Sequence, residues 1–168
     1  RPLLRLRDLE TLEIGYCSVM MDDDMLEMTA KALPNLQSLH LITGTRWDPP
    51  TITLQGLIPL LRYCPKLDTL RLSLNTERIT DVLNRPGTGV RNTRISMLTL
   101  PDSPVGDPIF VAAFLVNIFP SLTQIKSEGG RQPPNEGWEQ VELALKAIAI
   151  VRKSSTNDRN QSCTTGLI

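Results

Sequence analysis

No stretch of this chain approaches the roughly 20 consecutive apolar residues that cross a membrane as a helix. No secretory signal opens it either, so neither membrane insertion nor export is expected. Charge of one sign is also lacking: 18 lysines and arginines face 18 aspartates and glutamates, a formal net charge of zero. That balance argues against bulk attraction to nucleic acid or to an anionic membrane. Aromatic residues make up only 4% of the sequence, a second argument against a nucleic-acid binder. Three cysteines are too few for a disulfide framework and fit a reducing compartment, cytoplasm or nucleus. The single histidine, His40, makes no metal site alone and completes no catalytic triad without two further members. We therefore expect no enzyme and no cofactor.

What the chain has is repetition. Leu36-Gln37-Ser38-Leu39-His40-Leu41 follows Ala32-Leu33-Pro34-Asn35, and Leu67-Asp68-Thr69-Leu70-Arg71-Leu72 follows Tyr63-Cys64-Pro65-Lys66. Leu122-Thr123-Gln124-Ile125 follows Ile118-Phe119-Pro120-Ser121 in the same way. Two copies lack the proline, Leu9-Glu10-Thr11-Leu12-Glu13-Ile14 and Ile95-Ser96-Met97-Leu98-Thr99-Leu100. Their first residues, Leu9, Leu36, Leu67, Ile95 and Leu122, stand 27, 31, 28 and 27 residues apart. This form and period point to leucine-rich repeats, strand-plus-helix units that bury their leucines by stacking. In a strand the fourth and sixth positions of each copy point into the core, and the third and fifth point the other way. The expected fold is α/β: a right-handed solenoid horseshoe with about five parallel strands on the concave face and helices on the convex face.

With 168 residues the chain is one domain by size. We expect the repeats to occupy 1–153 and a disordered tail to occupy 154–168. Arg1 is not a methionine, and Arg1–Arg7 offer no cap before the first strand, so a fragment of a longer protein is expected. Cys17 and Asn75 take the turn position eight residues after the first leucine, where Gly44, Ser103 and Gly130 depart from cysteine or asparagine. Asp22-Asp23-Asp24 lack the glycine and ligand spacing of a calcium loop and read as the cap and first turn of a helix over Met25–Leu33. Leu26, Ala30 and Leu33 form its inward stripe, and Met25 and Met28 read as packing residues. Trp47, in the long Gly/Pro link, reads as a packing clamp before an interface anchor. A helix from about Gly56 to Tyr63 must hold Pro59 in its first turn. The Gly87-Thr88-Gly89 loop lacks the Lys-Ser/Thr pair of a nucleotide loop. Asp107-Pro108 caps a helix over Ile109–Phe119, which is so apolar that both its sides should be covered. A last helix, roughly Gly137–Lys153, turns Trp138, Val141, Leu145 and Ile148 inward and closes the array.

The segments before each strand, Leu-Pro-Asn-Leu, Tyr-Cys-Pro-Lys-Leu and Phe-Pro-Ser-Leu, resemble the cysteine-containing leucine-rich repeats of F-box proteins. The proline-interrupted style is similar to fungal members, and the resemblance covers about residues 3–153. It implies the substrate-recognition part of a ubiquitin-ligase receptor, in which the repeats hold a target and a separate F-box recruits the ligase adaptor. No F-box lies in this chain, so adaptor binding is expected only if one lies outside it. The alternative is a repeat regulator of a nucleotide hydrolase, or another repeat adaptor with no ubiquitin link. Independently of family, strand alternation assigns Thr11, Glu13, Ser38, His40, Thr69, Arg71, Met97, Thr99, Gln124 and Lys126 to the concave face. Its mixed polar surface, acidic at the first strand and basic at the third and fifth, suits a protein or peptide held by a monomer.

Overall fold

Each copy of the leucine motif supplies one strand: β1 (Thr11–Cys17), β2 (Ser38–Thr43), β3 (Thr69–Leu72), β4 (Met97–Thr99) and β5 (Gln124–Lys126). The five pair in parallel, in the spatial order of the sequence. The structure, a computed structural model, describes residues 6–17, 20–43, 49–77, 89–127 and 136–161. Among these are four α-helices, α1 (Asp23–Ala32), α2 (Leu57–Tyr63), α3 (Pro108–Ile118) and α4 (Glu136–Gln161). The molecule is thus α/β, with a five-stranded parallel sheet. Leu39, Leu41, Leu72, Leu98 and Leu100 are fully buried and Leu70 nearly so. They share one apolar cluster with Leu26, Ala30, Leu57, Leu60, Phe114 and Leu115 of the helices. The helices therefore cover the leucine side of the sheet.

The approach to each strand repeats in detail. Leu33, Cys64 and Phe119 cap α1, α2 and α3 with φ/ψ of −124/62, −115/69 and −122/75. A proline follows each, and it disfavours helical backbone in the residue before it. The chain then turns by one bond, Leu36 N–H to Leu33 O, Leu67 N–H to Cys64 O, or Leu122 N–H to Phe119 O, at 3.1–3.2 Å. The fourth copy has no proline, and Asn92 performs the turn with its side chain. Its Oδ1 accepts from Arg94 N–H (2.8 Å) and Ile95 N–H (3.0 Å), while its Nδ2 donates to Leu67 O of the preceding copy (2.6 Å).

Neighbouring units are also clipped together beyond the strand ends. The Asp23 carboxylate accepts from Thr53 N–H (2.7 Å) and Thr53 Oγ1 (2.6 Å). A Cβ on Gly56 would collide with that carboxylate, which explains the glycine. Thr76 Oγ1 donates to Pro104 O (2.9 Å) and accepts from Gly106 N–H (3.0 Å). Ser103 Oγ accepts from Leu74 N–H (2.9 Å), and Ser103 O accepts from Trp138 Nε1–H of α4 (2.8 Å). Ser103 lacks the expected cysteine or asparagine at its position but supplies a buried, short polar side chain there. On the surface, Lys31 pairs with Glu27 at 2.7 Å and lies over the Tyr63 ring. The Glu27 hydrogen bond is the chief cause that holds the Lys31 ammonium above its ordinary pKa.

Several expectations need correction. A 3-10 turn, Leu6–Asp8, precedes β1, where no element was expected. Cys17 does not turn the backbone away; β1 continues through it to pair with Thr43, after a register shift between Gly15 and Cys17. Met25 and Met28 are exposed, 41% and 71%, because the buried stripe of α1 runs through Leu26 and Ala30 on another side of the helix. α3 is buried through six residues, yet Ile109 is 73% exposed, so one side stays open. Ser154 to Gln161, expected as disordered tail, continue α4. No glycine or proline interrupts the chain between Gly137 and Gly166, so no strong helix breaker stands at Lys153. Trp47, Arg131–Asn135 and most of the Gly-Thr-Gly loop lie outside the described residues, as do residues 162–168.

Three outcomes follow. Leu70→Ala should cost about 2–5 kcal/mol of stability in urea unfolding, as expected for a large-to-small change in a closed core. Asn92→Ala leaves three backbone groups without their partner and should cost about 3 kcal/mol, while exposed Thr93→Ala should change stability by well under about 1 kcal/mol. Cys64 is fully buried, its thiol donating to Leu33 O at 3.4 Å, and burial pushes its pKa from 9.0 up to about 11. Because the folded value is the higher one, its contribution is whole below about pH 9 and is lost as pH rises towards 11. The alkaline fall in unfolding free energy between those limits should be smaller in Cys64→Ala, measured by denaturant titration at each pH.

Candidate interaction surface

The side of the sheet away from the leucines carries every residue assigned to it by alternation. Register turns them into two rows that cross the strands. Thr11 pairs with Ser38, Ser38 with Thr69, and Met97 with Gln124, which makes the first row. Glu13 pairs with His40, His40 with Arg71, Arg71 with Thr99, and Thr99 with Lys126, which makes the second without a break. Thr11, Glu13, Thr69, Met97, Gln124 and Lys126 are exposed, while Ser38, His40, Arg71 and Thr99 are half-buried. The strand burial of β3, exposed-buried-intermediate-buried, shows the alternation directly. All ten residues thus lie on one surface, although they span more than a hundred positions of the chain.

The same hydrogen bonds that join the copies set this surface. Gln37 N–H and Ser38 N–H both donate to Glu10 O; Asp68 N–H and Thr69 N–H both donate to Gln37 O; Thr123 N–H and Gln124 N–H both donate to Ser96 O. Each carbonyl stands one residue after the first leucine or isoleucine of its copy, so β2, β3 and β5 each start at the same height as the strand before them. Parallel strands lie about 4.8 Å apart, so the rows are roughly 19 Å long.

Charge is ordered along the second row: acidic at Glu13, basic at Arg71 and Lys126. Glu13 and Lys126 make no ion pair among the described residues. His40 Nε2 lies 3.5 Å from Ser38 Oγ on the same face, a long contact whose donor depends on the ring tautomer. Cys64 is held on the opposite, leucine side, so the histidine and the described thiol do not meet.

The acidic run has structural duties. Asp22 is the N-cap of α1 and accepts from Met25 N–H at 2.9 Å, and Asp23 holds Thr53. No group of three or more His, Cys, Asp or Glu among the described residues is placed to hold a metal ion. No described helix is long and apolar enough to cross a membrane. The helix side differs from the strand side: Leu143, Ile150 and Val151 of α4 are 63–68% exposed. Sequence reasoning did not pick out that stripe, nor the turn-forming role of Asn92. The signal for Asn92 was present, since it stands three residues before Ile95, as Cys64 stands before Leu67. No protein-family model, curated protein or solved structure matches the chain.

Proposed function

We propose that this chain is a leucine-rich-repeat solenoid whose strands line the inner side of a horseshoe, and that it works by holding another protein there. The observation that carries this reading is the row that runs unbroken across all five strands, Glu13, His40, Arg71, Thr99 and Lys126, beside a second, mostly polar row. Side chains on that face are exposed or half-buried, in contrast to the leucines behind them. Mostly polar residues, brought side by side from five copies, are suited to recognition. The reading includes no chemistry of its own for the chain and no cofactor. Zero net charge supports a protein partner over a nucleic acid. The buried, unpaired Cys64 thiol supports a reducing compartment inside the cell. The turns before the strands, through their resemblance to those of F-box proteins, support a ubiquitination target as that partner, with the F-box elsewhere in the protein.

A photo-reactive amino acid placed at Thr69, exposed on β3, should crosslink a partner in the source cell, while the same group at Leu143 on α4 should not. Crosslinking from Leu143 with none from Thr69 would place the partner on the helix side and defeat the reading.

A further inference from the structure

The strand face is narrow as well as polar. In β4 and β5, three residues each, it offers two side chains per strand, Met97 and Thr99, then Gln124 and Lys126. The usable strip is therefore about two residues wide and five strands long. A folded domain would need a broader footprint, whereas one extended segment lying across the strands fits it. At the β1–β3 end the first row consists of Thr11, Ser38 and Thr69, short side chains of low relief beside the charged row. A peptide backbone can lie over those short residues while its longer side chains reach the charges.

The charges set the spacing. Glu13 on β1 and Lys126 on β5 are four strand intervals apart, about 19 Å. An extended peptide advances about 3.3 Å per residue, so about six residues cover that distance. Six is an even number, which puts the first and the seventh side chains on the same face of the peptide. Five residues give about 17 Å but turn one of the two side chains away. We infer that the strand face recognises an extended peptide segment carrying a basic and an acidic side chain six positions apart, the base over Glu13 and the acid over Lys126. The inference rests on the proposed binding role of this face and adds the partner's chemistry. Arg71, on β3 midway between the two ends, adds to the basic character of the row.

The two ends are read by charge, and a segment can cross the row in either chain direction. Charge reversals on the protein therefore have a characteristic pattern. Glu13→Lys makes both ends basic, Lys126→Glu makes both acidic, and the double variant restores opposite ends with the order exchanged. Both positions are exposed, so the fold should survive, as circular dichroism can check.

The test uses the full chain and fluorescent peptides of Gly, Ser and Thr with one lysine and one glutamate, placed six apart, five apart or adjacent. At low ionic strength the six-apart peptide should bind about fivefold more tightly than the other two. Each single reversal should weaken it by about the same factor, and Glu13→Lys should come to prefer a peptide with two glutamates six apart. The double variant should recover much of the lysine–glutamate binding, with the peptide turned end for end. Equal binding of the three spacings, or a double variant as weak as the singles, would overturn the inference. So would no binding of any peptide, while a crosslink from Thr69 would still leave the binding role of the face standing. Loss of that crosslink removes the role itself.

Discussion

A slip of one residue between any two neighbouring strands would carry Leu39 and Leu41, or Leu70 and Leu72, out of the core and drive His40 or Arg71 into it. Register between parallel strands is therefore the constraint on which the rest of the molecule depends. Parallel pairing does not set it alone, since the ladder of backbone bonds is much the same at every second offset. It is set at the strand entrances. There a single carbonyl in one copy, of Glu10, Gln37 or Ser96, accepts two amides from the next. Before each of these three entrances a helix ends in much the same backbone conformation, so the chain arrives from the same direction each time.

The entrances do not all use the same chemistry, and the differences show what is required of them. Three use proline to stop the helix and a backbone bond to make the turn; the fourth uses Asn92, which makes the turn with one end of its amide and holds the preceding copy with the other. Leu33, Cys64, Asn92 and Phe119 occupy equivalent places, and all four are buried. A buried asparagine is tolerated because all the hydrogen-bonding atoms it brings inside are used in these contacts. Ser103 shows the same economy at the far end of the strand, where its hydroxyl meets Leu74 N–H and its carbonyl meets the indole of Trp138.

The sheet was legible in the sequence because its signal is carried by large residues at fixed spacing. Five copies of one pattern gave five strands, the buried leucines and the residues of the opposite face. The helices were read to within a residue or two at their starts, since Asp22 and Asp107 are capping residues at the expected place. What was not legible depends on contacts between units. Asp23 reads as one more acid in a first turn until Thr53 is seen beside it, 30 residues away. Met25 and Met28 read as packing residues because methionine is apolar, yet which side of α1 is covered depends on where α2 lies. The end of α4 was misplaced for the opposite reason. Ser154 to Asp158 are of types that favour caps and turns, yet a helix already running from Glu136 through Lys153 adds one backbone bond per residue at little further cost and continues through them.

The strand face and the α4 surface suggest different kinds of contact. Leu143, Ile150 and Val151 are apolar and would bind by area, with little preference for a partner's sequence. The strand face offers less apolar area but has its charges in a fixed order across adjacent strands. Because the chain carries no net charge, attraction at long range is small, and discrimination must come from arrangement at contact distance. A row with one acid at β1 and bases at β3 and β5 supplies that arrangement. A partner with two charges of one sign at that spacing would meet like charge at one end of the row, and that mismatch offsets the modest gain from the one correct pair. Locking the register thus does two jobs with one set of bonds: it keeps the leucines inside, and it holds the charges of the other face at the distances a partner would have to match.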